Sequence, residues 1–146
     1  MQDRFKFKAV LHQNKYEEYR LEKFSHQRVF DVISINLGIE YSTIEIIAEY
    51  PNGDWAVREI DDEDIDLIQC TGLKDKNGTL IYMGDVVKDD ATNSIYKVGE
   101  KKCAIYLEND EYIGYFHELS MAFAEKRLEV IGNIYENPEL LEVKND

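Results

Sequence analysis

A mainly β fold with a minor α contribution and short helical turns is what this amino-acid sequence predicts, on three observations. Tyr is abundant, at 10 residues against two prolines, and aromatic side chains pack well on a pleated surface. Runs rich in Val and Ile, several alternating apolar with polar residues, recur along the 146 residues, and a period of two is the mark of a strand. Asn-Gly pairs at Asn52-Gly53 and Asn77-Gly78 stand between such runs, where residues that tolerate positive φ favour a reversal.

Taken in order, Phe5, Phe7, Ala9 and Leu11 alternate with Lys6, Lys8, Val10 and His12. This predicts an edge strand whose lysines face solvent and discourage pairing with other chains. Residues 14–25 fit two patterns, Tyr16 with Tyr19 on a helical face or Tyr19 with Leu21 on a strand. Val29–Leu37, Tyr41–Tyr50 and Trp55–Ile60 predict a three-stranded antiparallel meander, its second reversal at Pro51-Asn-Gly-Asp54. The acidic stretch Asp61–Asp66 breaks the pattern, and Ile65 with Ile68 predicts a single helical turn opened by aspartates, which favour a helix N-terminus. Lys74–Gly78 reads as a turn, Thr79–Tyr82 as a strand, and Gly84-Asp85 as a re-aiming of the chain into Val86-Val87. Ser94–Val98, Cys103–Leu107 and Tyr112–Phe116 are short strands at regular spacing, the pattern of a small barrel or sandwich. His117–Lys126 places Leu119, Ala122 and Phe123 on one helical face, and Leu128–Tyr135 is a last strand. Asn137 before Pro138 reads as an N-cap with proline at the first helical position. The expected division is residues 1–66, an N-terminal antiparallel region, and residues 67–146, a small β-barrel region, joined in one compact unit.

Charge narrows the function. The formal net charge is −13, unevenly spread. Residues 1–30 hold seven basic and four acidic residues, while residues 31–66 hold Arg58 against eleven acids. Such a surface repels phosphate backbones and anionic membranes. Single-stranded nucleic acid has one candidate contact, the Phe5-Lys6-Phe7-Lys8 segment, and the overall charge argues against it. The longest stretch free of charged residues, Val32–Ile39, is far short of the roughly 20 residues a membrane helix needs. With no apolar signal-peptide core at the start, the expected place is the cytoplasm. Cys70 and Cys103 lack metal-type spacing and sit among apolar neighbours, which favours buried reduced thiols over a disulfide.

The side chains that carry chemistry do not assemble into a motif. Asp62, Asp64 and Asp66 imitate the alternating carboxylates of a calcium loop, but the Gly and Glu positions fall on Leu67 and Leu73. A metal-dependent hydrolase or nuclease would draw on Asp61, Asp62, Asp64 and Asp85, whose convergence no sequence reveals. His12, His26 and His117 are scattered, and Ser42, Ser94 and Ser120 lie in no nucleophile elbow. Gly72, Gly78 and Gly84 are too widely spaced for a phosphate cradle. No metal or other cofactor is expected. Trp55, at a hairpin tip, with Tyr112 and Tyr115, are the candidate protein-contact residues, since Trp and Tyr concentrate where protein surfaces bind.

Two dense signatures remain. Thr71-Gly-Leu-Lys-Asp-Lys-Asn-Gly78 runs on into Ile81-Tyr82, Gly84-Asp85 and Val86-Val87, and Val130-Ile-Gly-Asn-Ile-Tyr-Glu-Asn-Pro-Glu-Leu-Leu141 closes the chain. Together with Phe5–Ala9 and Val29–Asn36, they closely resemble the YopX protein family over nearly the whole chain. Residues 14–28 match none of its patterns, and residues 88–127 match in β character alone. The resemblance implies a small SH3-like β-barrel, an origin in bacteriophages or prophages, and self-association into a homo-oligomer. It assigns no catalytic or ligand-binding residue. The resulting expectation is a non-enzymatic accessory protein working through protein–protein contacts, with a basic host or phage protein as a further partner.

Overall fold

The computed structural model describes residues 6–12, 15–21, 28–101, 104–109, 113–115 and 120–142. Two antiparallel sheets hold most of these residues, with little helix. The strands are β1 (Phe7–Leu11), β2 (Val29–Asn36), β3 (Thr43–Glu49), β4 (Trp55–Asp61), β5 (Ile65–Lys74), β6 (Leu80–Tyr82), β7 (Asp85–Asp89), β8 (Ile95–Lys101), β9 (Ala104–Glu108), β10 (Ile113–Tyr115) and β11 (Leu128–Asn133). One helix, α1 (Ser120–Arg127), and 3-10 turns at Asp62–Asp64 and Pro138–Leu141 accompany them. The chain divides into two compact units, Lys6–Ile68 and Gln69–Asp146, the latter grouped with residues 1–5.

In the first unit the strands lie in the order β4-β3-β2-β1, with β5 next to β1. The expected meander is present: β2 pairs antiparallel with β3, and β3 with β4. Its core holds Ala9, Leu11, Leu21, Phe30, Ile44, Ile46, Ala48, Ile60 and Ile65. The 51–54 reversal differs in one detail from a two-residue Asn-Gly turn. Gly53 alone of the pair has positive φ, at 91°, and the Tyr50 N–H donates to the Asp54 carbonyl. This is the longer loop in which one left-handed residue closes the hairpin.

Two expectations are corrected here. β1 is an interior strand between β2 and β5 rather than an edge, and Ala9, Val10 and Leu11 are all buried. Lys8 is only half exposed, so its charge does not guard an edge. The turn at Asp62–Asp64 ends before Ile65, and Ile65 and Ile68 are buried residues of β5. A ten-residue strand there escaped the sequence pattern because Cys70 and Thr71 are both buried and break strict alternation.

The second unit contains a five-stranded sheet in the order β10-β9-β8-β7-β11. Ile81, Val87, Val98, Leu107, Ala124 and Leu128 form its core. β10 and β11 end the sheet, and no closed barrel is seen among the described residues. On α1, Phe123 packs on the core as expected, and Ala124, which was not part of the expected face, is fully buried. Leu119 lies outside the described residues.

The two signatures work as brackets. Thr71 Oγ1 donates to the Ile81 carbonyl at 2.7 Å and accepts the Leu73 N–H, tying β5 to β6 where their ladder is irregular. Asp75 is 3 % exposed, and its carboxylate accepts the N–H groups of Asn77, Thr79 and Val130, each at 2.9 Å. One buried side chain thus closes the Lys74–Gly78 turn and joins it to β11. In the closing signature, Asn133 Oδ1 accepts the N–H groups of Tyr135 and Glu136. Asn137 does not cap the following turn as expected; its Oδ1 accepts the Asn133 N–H instead. The register of β7 and β11 shifts between Val130 and Gly132. A Cβ on Gly132 would stand 2.6 Å from Asn137 Oδ1 and 2.8 Å from Leu140 Cδ1. Gly132→Val is therefore expected to lower unfolding free energy by about 1–3 kcal/mol through overpacking, read from urea midpoints. An unchanged midpoint would show that the 133–141 segment moves aside freely.

Candidate functional site

The most distinctive surface is the outer face of the β2–β3–β4 meander. Strand alternation sends Ile44, Ile46, Ala48 and Ile60 into the core, so their neighbours point to solvent. Across β3 and β4, Ile47 stands opposite Val57, Glu49 opposite Trp55, and Glu45 opposite Glu59. The register of β2 slips between Val32 and Ser34, and the extra residue, Ile33, is half exposed. Ser34 Oγ donates to Glu45 Oε1 at 2.9 Å beside it. An apolar band of Ile33, Ile47, Val57 and Trp55 thus crosses three strands, flanked by Asp31, Glu45, Glu49 and Glu59.

The band continues in sequence into the β2–β3 loop, where Leu37 is 86 % exposed, Ile39 fully exposed and Tyr41 67 % exposed. These side chains, with Glu40, Thr43 and Glu59, line an open hollow of about 550 Å³. Loops between strands usually carry polar turn residues; this one presents three large apolar or aromatic side chains.

Of the expected contact residues, Trp55 lies on this face and is 66 % exposed. Tyr115 lies in β10 of the second unit, paired with Tyr106, and Tyr112 lies outside the described residues. Sequence reasoning missed Ile33, Leu37, Ile39, Tyr41 and Val57. For Ile33, Leu37 and Ile39 the signal was the uncharged run Val32–Ile39, which is too short for a membrane and too apolar for an ordinary hairpin loop.

Of the aspartates considered for a metal site, Asp64 and Asp85 have other partners for their carboxylates. Tyr19 donates to Asp64 Oδ2 at 2.5 Å, and Lys15 Nζ lies 3.4 Å from Asp64 Oδ1. Burial, followed by the bond to Asp64, pushes the Tyr19 phenol up to about 12. That same bond, helped by Lys15, holds the Asp64 carboxyl below its usual range. The Asp61 N–H donates to the Tyr19 hydroxyl, so Tyr19 fixes both ends of the acidic turn. Asp62 is exposed. Asp85 belongs to the second unit, where its carboxylate accepts the Tyr82 N–H at 2.8 Å. Among the described residues, no group of three or more His, Cys, Asp or Glu is placed to hold a metal ion. Phe5 lies outside the described residues, Lys6 directly precedes interior strand β1, and Phe7 and Lys8 open it. Cys70 is buried beside the Ile81 carbonyl, and Cys103 lies outside the described residues. No described helix is long and apolar enough to cross a membrane.

Two antiparallel sheets, two hydrophobic cores and an exposed apolar band rimmed by acids define a mainly β protein of two units. Its brackets at Thr71, Asp75, Asn133 and Asn137 are the residues that set its shape. The chain belongs to the YopX protein family, whose model matches residues 7–142. Its fold is similar to the crystal structure of protein EF1440 from Enterococcus faecalis, at 23 % sequence identity and a TM-score of 0.56. That match covers 94 % of this chain and 97 % of the other. No curated protein matches the sequence.

Proposed function

We propose that this protein is a non-enzymatic accessory protein that acts by protein–protein contact through the outer face of its first unit. The observation that carries the reading is the band from Ile33 to Trp55 together with Leu37, Ile39 and Tyr41 at the loop tip. Exposed apolar patches of this kind mark association sites, and Trp and Tyr commonly dominate the energy of such sites. Family membership supports a phage or prophage origin, a cytoplasmic setting and an SH3-like plan for the second unit.

Self-association is one contact this surface makes. Two copies meeting face to face bring like-charged rims together, so salt strengthens that contact by screening. A basic partner behaves oppositely, its binding weakening with salt. Trp55 is the chain's single tryptophan, so its emission reports this face alone. Light scattering across a concentration series is expected to show mass rising as Trp55 emission shifts to the blue. Leu37→Ser with Ile39→Ser should suppress both changes while leaving the reporter in place. A monomer at all concentrations, with the same cross-links to host proteins in wild type and double variant, would remove the basis for the reading.

A further inference from the structure

The free edge of β4 offers a main-chain docking site in addition to the outer face. Among the described residues β4 ends its sheet, next to β3 on one side only. The backbone bonds Asp62 N–H to Ser42 O and Tyr50 N–H to Asp54 O bracket the β3–β4 ladder. In an antiparallel pair, hydrogen-bonded positions alternate. Residues 54, 56, 58, 60 and 62 therefore turn their N–H and C=O groups toward β3, and Trp55, Val57, Glu59 and Asp61 turn theirs away. Two side-chain bonds agree with that parity: the Asp61 N–H reaches Tyr19 across the edge, and Arg58 Nη1 donates to the Val57 carbonyl. Tyr19 thus closes the far end of the edge, and between Trp55 and Glu59 no described strand pairs with it. The same alternating residues place their side chains on the outer face, so an added strand lies beside Trp55, Val57 and Glu59.

We propose that this edge accepts an extended, basic segment of another protein as an additional strand, resting on the reading of the outer face as a protein-contact surface. Charge complementarity selects the occupant. Residues 31–66 hold eleven acids and one arginine, and Glu59 and Asp61 stand on the edge strand itself. A second copy of β4 fits poorly. Antiparallel self-pairing that overlaps the outward-facing residues sets Trp55 opposite Asp61 and Val57 opposite Glu59, so every acid meets an apolar side chain instead of a cation and the two Glu59 carboxylates become diagonal neighbours, in a protein of net charge −13. The arriving strand needs apolar side chains opposite Trp55 and Val57 and cationic ones opposite Glu59 and Asp61. Its N–H groups replace the Arg58 guanidinium at the Val57 carbonyl. Arg58, on the inward face of β4, blunts the edge against unselective pairing, and main-chain bonds supply affinity while alternate side chains supply specificity.

The test uses the full chain and the acetylated, amidated octapeptide Lys-Thr-Lys-Thr-Val-Thr-Ile-Thr, which matches that pattern in the antiparallel sense. Binding is followed by Trp55 emission. A second peptide is N-methylated at its third, fifth and seventh residues, which removes the N–H groups opposite Glu59, Val57 and Trp55 and keeps every side chain. The expected result is saturable binding of the first peptide, weakened by salt, and loss of affinity by about tenfold or more on methylation. Val57→Pro, which deletes an outward N–H without touching the β3 ladder, should reduce binding of the first peptide similarly. The two peptides make the decision alone if that variant does not fold. Equal binding of both peptides overturns strand addition and leaves the contact face standing. No Trp55 response to either peptide overturns the edge site, and the light-scattering result then judges the broader reading separately.

Discussion

Asp75→Ala is expected to lower the unfolding free energy by about 3–4 kcal/mol, a large loss for one side chain. The Asp75 side chain is buried and satisfies three backbone donors, those of Asn77, Thr79 and Val130. A hydrogen bond to a charged group contributes roughly 1.5–3 kcal/mol, and removing one partner leaves the other to pay for its desolvation. The three losses do not add fully. Asn77 and Thr79 are exposed, so water replaces part of what they lose, whereas the half-buried Val130 N–H has less recourse. Asp75→Asn keeps one acceptor oxygen but turns an amide NH2 toward a backbone donor, and about half the loss is expected. Urea denaturation followed by far-ultraviolet circular dichroism measures both. A change below about 1 kcal/mol for Asp75→Ala would show that the bracket is decorative.

Arg127→Ala should follow, at about 2–4 kcal/mol near neutral pH. Arg127 Nε and Nη2 donate to the two oxygens of Asp89 at 3.0 and 2.5 Å, while the guanidinium stacks 4.4 Å from the Phe123 ring centre. The Asp89 side chain is 3 % exposed and that of Arg127 38 %. Removing the arginine therefore leaves a buried carboxylate short of its main partner, the costlier way to break such a pair; the partial exposure of Arg127 puts the figure below the fully buried case. The pH dependence fixes the mechanism. Burial pushes the Asp89 carboxyl up, but the bonds from Arg127 and from the Ala91 N–H outweigh it and hold the group below its ordinary 3.8. A depressed carboxyl stabilises the fold above its unfolded value and loses that contribution as pH falls through the folded one. The wild type should thus lose this increment progressively below about pH 4. In Arg127→Ala burial is opposed mainly by the smaller effect of the Ala91 N–H bond, and protonation relieves the stranded charge. The gap between the two proteins is expected to narrow on acidification from about pH 7 to about pH 3. A constant gap would assign the loss to the Phe123 contact instead.

Most of the strand order was readable along the chain, and the exceptions have specific causes. Val29–Ile60 announced a meander because one face of each strand is buried and the other is wet. β5 hid because Cys70 and Thr71 are buried in succession, so period two fails in the middle of the strand. Lys6 and Lys8 suggested an edge, yet strand neighbours are set by pairing far along the sequence, and β5 lies beside β1. The exposed band was half legible. Trp55 stood out at a hairpin, but Ile33 reaches solvent through a slip in register that no local pattern encodes.

By itself the sequence determined the β class, the acidic surface and the family, because residue type, alternation and turn chemistry act over a few neighbouring positions. It also marked Asp75, Gly132, Asn133 and Asn137 as determinants of shape through the signatures that contain them. Only the tertiary structure decided what those residues hold, since the Val130 N–H that reaches Asp75 lies 55 positions away. It decided likewise which strand became an edge and which apolar residues were left in water. Burial and pairing are properties of the assembled sheets, and a linear pattern carries no record of which strand lies next to which.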